Sequence, residues 1–198
     1  MKHIIFHESM YRETLSEFLY DNELFYKKGL ELKNNVKSVS DWRCDTYNTL
    51  GSYELSEDIL FNNLLKTIKK HVIEFAKTYG VEGLPLKNNS SWINIAGPGN
   101  YQEYHMHPKN HFSAVYYVKS PTQGGNIVFR SHEADKDMFP LPDTKNLEPS
   151  NFKTFSVKPQ TCDLLIFRSN LLHMVEKNLS EEDRVSIAIN YSFIENDE

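Results

Sequence analysis

The apolar positions of this chain change their period near residue 85. Leu60, Leu64, Ile68, Val72, Phe75 and Tyr79 recur three or four residues apart, the stripe of an amphipathic helix. Ser56 is placed to cap that helix, Glu57 and Asp58 suit its first turn, and Gly80 ends it. An earlier segment from Tyr11 to Tyr26 also reads as helix, whereas Lys33 to Glu54 lacks a clean period and reads as loop with short extended pieces. Beyond residue 90, short runs of β-branched and aromatic residues alternate with Gly, Pro, Asn and Asp clusters, the pattern of strands and turns. Eight strands are expected: Ser91 to Ile95, Tyr101 to His105, Phe112 to Val118, Asn126 to Arg130, Phe152 to Val157, Asp163 to Arg168, Leu172 to Glu176 and Arg184 to Ile194.

This order of elements predicts a mainly β fold, a jelly-roll-like barrel with an N-terminal helical layer packed on it. The whole of 1–198 is expected to form one domain, with 1–90 as helical scaffold and 91–195 as barrel. Ser131 to Ser150, polar and proline-containing, is long for a connection and reads as a lid.

Composition narrows the functional classes. The chain is 39% hydrophobic and 25% charged, a balance that fits a globular protein. A net charge of -5 gives no general attraction to phosphate backbones or anionic lipid, so nucleic acid is not indicated as a partner. Cys44 and Cys162 form no CxxC pair, so neither a disulfide framework nor a thiolate metal site is expected. No apolar run approaches a membrane span or a signal peptide, and a cytoplasmic location is the expectation.

The candidate chemistry begins at His105-Met106-His107. Imidazoles two residues apart on a regular strand share a face and can chelate one ion. A barrel can bring a distant strand-borne histidine, His173, to the same interior point. Arg184 and Ser186 follow His173 with the spacing H-x10-R-x-S, which chance would produce in roughly one chain of this composition in fifty. Three neutral imidazoles on one face of Fe(II) leave positions for a bidentate 2-oxo acid and dioxygen, and the far carboxylate of that acid needs a partner. Arg184 can supply a two-pronged fork and Ser186 a further donor on the same strand face.

At these residues the chain resembles the Fe(II)/2-oxoglutarate oxygenase superfamily, whose motif is His-x-Asp/Glu, a distant His, then Arg or Lys about ten residues on. More narrowly, Asn94, Gly99, His105-x-His107-Pro108, Ser113 to Val118, Gly124-Gly125 and Val157-Lys158-Pro159 through Phe167 are similar to 2-oxoglutarate–iron oxygenases of phage and marine bacteria. In outline the same stretch, residues 91 to 194, is similar to prolyl 4-hydroxylase catalytic domains. The resemblance implies a double-stranded β-helix, Fe(II) as metal, 2-oxoglutarate and dioxygen as co-substrates, and oxidation of a substrate C–H bond with release of succinate and CO2. It implies metal roles for His105 and His173, with His107 standing where the superfamily carries a carboxylate and Cys162 where it carries a turn glycine. Glu103, taken as sharing a strand face with His105, or Glu133 or Asp135 from the loop, are the carboxylates available to replace His107.

Asn94, Tyr104 and Tyr117 are further candidates to hydrogen-bond the co-substrate. Tyr116 and Tyr117 alternate, so one is expected to face the interior and the other the helices. Arg130, Arg168 and Asn170 are candidates for the mouth of the site, and His111 and His132 read as loop histidines. Gly124-Gly125 reads as a turn between strands rather than a phosphate loop. The expected substrate is a small molecule or a peptidyl side chain. Two other readings are a three-histidine cupin-type dioxygenase that uses no 2-oxo acid and a non-catalytic jelly-roll module. Oligomeric state is not legible, and the resemblance points to a bacterial or phage-infected cytoplasm.

Overall fold

The computed structural model describes residues 8–39, 44–132 and 153–194. Ten strands are present among them: β1 (Met10–Thr14), β2 (Tyr47–Asn48), β3 (Leu86–Ala96), β4 (Gln102–His105), β5 (Phe112–Lys119), β6 (Ile127–Arg130), β7 (Thr154–Val157), β8 (Asp163–Arg168), β9 (Leu172–Val175) and β10 (Arg184–Phe193). Two helices, α1 (Asp21–Asn35) and α2 (Asn62–Lys77), belong to the N-terminal half. The larger sheet runs β1-β8-β5-β10-β3-β2 and the smaller β4-β9-β6-β7, with antiparallel pairing throughout. From β3 to β10 the chain therefore passes from one sheet to the other at every step except the β6–β7 hairpin-like pair, both of whose strands lie in the smaller sheet, which is the double-stranded β-helix form of the jelly roll. All eight expected strands are present.

Two apolar clusters divide the fold into layers. One joins the helices to the outer face of the larger sheet: Leu64, Ile68, Val72 and Phe75 of α2 meet residues such as Ile93, Tyr116, Ile166 and Ile187. Ile68 and Val72 are fully buried, each worth roughly 1.5–3 kcal/mol of transfer free energy. Helix α1 comes so close to this face that a Cβ on Gly29 would stand 2.7 Å from Ile93 Cδ1. The second cluster lies between the sheets and includes Tyr117, Ile127, Phe129, Leu165 and Phe167. Tyr116 thus faces the helices, its hydroxyl donating to Asn22 Oδ1 at 2.9 Å, while Tyr117 faces the barrel interior.

Several local expectations are corrected. Ser56 caps no helix: two 3-10 turns, Leu55–Glu57 and Ile59–Phe61, precede α2, and the carboxylates of Glu54 and Asp58 accept from the backbone N–H groups of Ser56 and Leu60. The segment from Tyr11 to Tyr26 is not one helix. Met10–Thr14 is an edge strand paired with β8, and α1 begins only at Asp21. The clamp on that edge is Asp163, fully buried, which accepts from Arg12 Nη2 at 2.6 Å, Thr14 Oγ1 at 3.1 Å and the Gln160 N–H at 2.7 Å. Asp163 lies 151 residues beyond Arg12 in the chain, so local periodicity does not encode the strand. Helix α1 also runs on to Asn35, into the segment read as loop. Cys162, at the expected turn-glycine position, has φ +72°, the left-handed conformation that a glycine adopts without strain. Its backbone makes that turn useful: the N–H donates to Tyr117 O at 2.8 Å and the carbonyl accepts from Leu15 N at 2.9 Å. The expected lid, with Glu133 and Asp135, lies almost wholly outside the described residues.

Candidate active site

His105 ends β4 and pairs directly with His173 on β9, so the register of the smaller sheet sets two imidazoles side by side. His107 lies just beyond the strand, held there by its backbone N–H donating to Ser169 O at 2.9 Å. Ser169 is in turn fixed by Ser113, whose hydroxyl also donates to Asn190 Oδ1 at 2.8 Å. The ligand nitrogens of the three histidines all lie within 4.8 Å of one another. Among the described residues they are the only group of this kind, and no carboxylate joins them.

Backbone carbonyls orient two of the rings. His105 Nδ1 lies 2.7 Å from Glu103 O and His173 Nδ1 lies 2.8 Å from Leu171 O. Each Nδ1–H donating to its carbonyl leaves Nε2 with the lone pair, the tautomer a metal ligand requires. Burial pushes the pKa of all three rings down, that of His107 to about 3 with the charge of His105 as a second cause. The neutral, ligating form is thus the resting form at ordinary pH. Trp92 packs against His107, ring centroids 5.7 Å apart, and Phe167 against His173 at 4.7 Å.

One cavity between the sheets is lined by these histidines and also by Asn94, Gln102, Tyr117, Arg184 and Ser186. Asn94, Ser186 and Tyr117 occupy one cross-strand row over β3, β10 and β5, and Asn94 Nδ2 donates to Ser186 Oγ at 3.4 Å. Arg184 is 5% exposed. Its Nη1 donates to the carbonyl of Gly124 and to Glu176 O at 3.0 Å. No carboxylate among the described residues lies within ion-pair distance of it. A buried guanidinium without a counter-ion is costly, and burial accordingly lowers its pKa. The Tyr117 hydroxyl, its pKa raised by burial, lines the same cavity, and the charge of Arg184 opposes that rise. A neutral three-imidazole set sharing a cavity with a guanidinium that no described carboxylate pairs and with a buried phenol fits a metal ion with a dicarboxylic 2-oxo acid bound beside it.

The Gly124-Gly125 turn has more than a connecting role. Gly125 has φ +85°, and a Cβ there would stand 2.5 Å from Glu176 O and 2.9 Å from Arg184 Nη1. Glycine lets the turn close around the guanidinium.

Other sequence candidates fall elsewhere. Tyr104 is 39% exposed and does not line the cavity, because it alternates with His105 along β4. Glu103 shares no face with the ligand histidines: β4 carries a register irregularity between Gln102 and His105, which brings Gln102 into the cavity instead. Arg168 stacks over Tyr79 and Phe112 on the helical side, and neither Arg130 nor Asn170 lines the cavity. His111 Nδ1 accepts from Phe193 N at 3.0 Å, a structural role, and His132 is exposed. Gln102, Ser113 and Asn190 carried no spacing signal that would have singled them out.

The family described as "Putative 2OG-Fe(II) oxygenase" matches residues 90–190, just over half of the 198. The chain belongs to this family. It is an Fe(II)- and 2-oxoglutarate-dependent oxygenase, and the cupin-type and non-catalytic readings fall away. No curated protein sequence matches it. The fold is shared with HygX from Streptomyces hygroscopicus, solved with nickel and 2-oxoglutarate bound, at 15% identity and TM-score 0.63 over 93% of this chain and 82% of that one. A Pseudomonas putida prolyl-4-hydroxylase is similar at 13% identity and TM-score 0.65 over 93% and 92% of the two chains. The 2-oxoglutarate-dependent carbocyclase SnoK from nogalamycin biosynthesis aligns at 13% identity and TM-score 0.64, covering 93% and 79%. No helix among the described residues of this oxygenase is long and apolar enough to cross a membrane.

Proposed function

We propose that this oxygenase holds Fe(II) through Nε2 of His105, His107 and His173. In the same reading it binds 2-oxoglutarate with Arg184, Ser186, Tyr117 and Asn94, and hydroxylates a C–H bond of a small molecule or peptidyl side chain. The observation that carries this assignment is Arg184: a buried cation, unpaired by any described carboxylate, lining the same cavity as three neutral imidazoles. The bound metal and 2-oxo acid supply the oxidising chemistry, with succinate and CO2 as co-products. The chain's own residues do the rest. Glu103 and Leu171 carbonyls fix the ligand tautomers, the Ser169–Ser113–Asn190 network fixes His107, and Phe167 and Trp92 keep the ligand rings in apolar contact.

With His107 in place of a carboxylate, the metal centre carries one more unit of positive charge than a two-histidine, one-carboxylate site. This favours a dianionic co-substrate. The single chain acts as one catalytic domain, and a cytoplasmic location fits a metal that must stay reduced.

The test is anaerobic addition of Fe(II) and then 2-oxoglutarate, watching for the visible charge-transfer band of a chelated 2-oxo acid. The band is expected in the wild type, absent in His173→Ala and weakened in Arg184→Ala. Bound iron with no band on adding 2-oxoglutarate would overturn the assignment.

A further inference from the structure

Two buried side-chain polar atoms among the described residues have no hydrogen-bond partner, Asn88 Oδ1 and Gln102 Nε2, and of these two residues only Gln102 lines the cavity. A buried amide N–H left without an acceptor is unfavourable, and a fold retains one where a ligand completes it. The other end of the Gln102 amide is occupied: Cys44 Sγ donates to Oε1 at 3.7 Å. That contact turns Oε1 toward the thiol and leaves the two N–H donors of Nε2 for the cavity.

The position of Gln102 says what the acceptor is. It pairs with Val175 on β9, and the next residue, Glu176, gives its carbonyl to Arg184. Cys44, which touches Gln102, is also an electrostatic neighbour of Arg184, and both Gln102 and Arg184 line the same cavity. The amide thus belongs to the Arg184 end of the cavity. A neutral group with only donors free calls for a ligand that only accepts. A carboxylate, with about four lone-pair directions, can take an arginine fork and a further amide donor together.

We propose that Gln102 is a specificity residue for the co-substrate, its side-chain amide donating to the far carboxylate that Arg184 pairs with. This rests on the Arg184 assignment made above. It makes Gln102 a discriminator between a dicarboxylic 2-oxo acid and a monocarboxylic one of the same chain length.

The experiment is calorimetric titration of Ni(II)-loaded protein with 2-oxoglutarate and with 2-oxopentanoate, which lacks the far carboxylate. Gln102→Leu is expected to weaken 2-oxoglutarate about tenfold, equivalent to about 1.4 kcal/mol, and to leave 2-oxopentanoate within about twofold of the wild type. Gln102→Glu, which sets a like charge against the carboxylate, is expected to weaken 2-oxoglutarate further. An unchanged 2-oxoglutarate affinity in Gln102→Leu, or an equal loss for both acids, would overturn the proposal. A wild type that binds both acids equally would instead overturn the Arg184 reading beneath it. Nickel titration of each variant reports whether the histidine site is intact, and Gln102→Met, of similar length and shape, carries the same test should Gln102→Leu fail to hold the metal.

Discussion

Replacing Arg184 with Met removes the one buried cation lining the cavity among the described residues while keeping most of its volume. In the unliganded protein two effects oppose each other. The carbonyls of Gly124 and Glu176 lose their donor, at roughly 1–3 kcal/mol each, but a desolvated guanidinium with no described counter-ion is also removed, relieving a penalty of several kcal/mol. The variant should therefore melt within about 4 °C of the wild type. Binding behaves differently. A charge-assisted fork to a carboxylate contributes roughly 1.5–3 kcal/mol, so 2-oxoglutarate should bind about 10- to 150-fold more weakly. At a concentration one hundred times the wild-type Kd, the ligand stabilises the wild type by about 2.7 kcal/mol. A hundredfold weaker variant gains only about 0.4 kcal/mol. Thermal melts of the Ni(II)-loaded proteins with and without 2-oxoglutarate, together with its KM in turnover, measure this directly. An equal ligand-induced rise in Tm in both proteins would refute the placement of the co-substrate against Arg184.

Gly125→Ala should raise the KM for 2-oxoglutarate about tenfold, because the new methyl collides with Glu176 O and Arg184 Nη1 and φ is left-handed; an unchanged KM in steady-state assays would count against the role given to the turn. Asp163→Ala should cost roughly 3 kcal/mol in denaturant unfolding by freeing β1 from β8, while 2-oxoglutarate affinity in the folded variant stays as in the wild type. Acid should destabilise the metal-free protein. His105, His107 and His173 are held below the ordinary value of 6.5, His107 at about 3, so below pH 6.5 the unfolded chain takes up protons that the folded site refuses. Stability is full above pH 6.5 and falls toward pH 3, by up to roughly 1.4 kcal/mol per pH unit for each imidazole. His107→Gln should flatten that slope in melts taken in chelator, and an identical slope would exclude His107 as a contributor.

The strands were legible in the sequence because alternation and turn residues are local, and eight short runs between Gly, Pro and Asn clusters leave little choice of element. His105, His107, His173 and Arg184 were legible because a rare spacing of metal-ligating and carboxylate-pairing residues survives in one dimension. Strand β1 was hidden because what fixes Met10–Thr14 is Asp163, far along the chain, and the two 3-10 turns before α2 were hidden because Glu54 and Asp58 outcompete Ser56 for the backbone donors. Gln102 was hidden for a related reason. A regular strand would place residues three apart on opposite faces, and only the irregularity in the β4–β9 pairing turns Gln102 and His105 into the same cavity. The sequence by itself determined the element types beyond residue 85, helix α2, and the histidines and arginine of the site. Tertiary structure decided which donors are left unpaired in it, because pairing is set by register and close approach between segments that share no local signal.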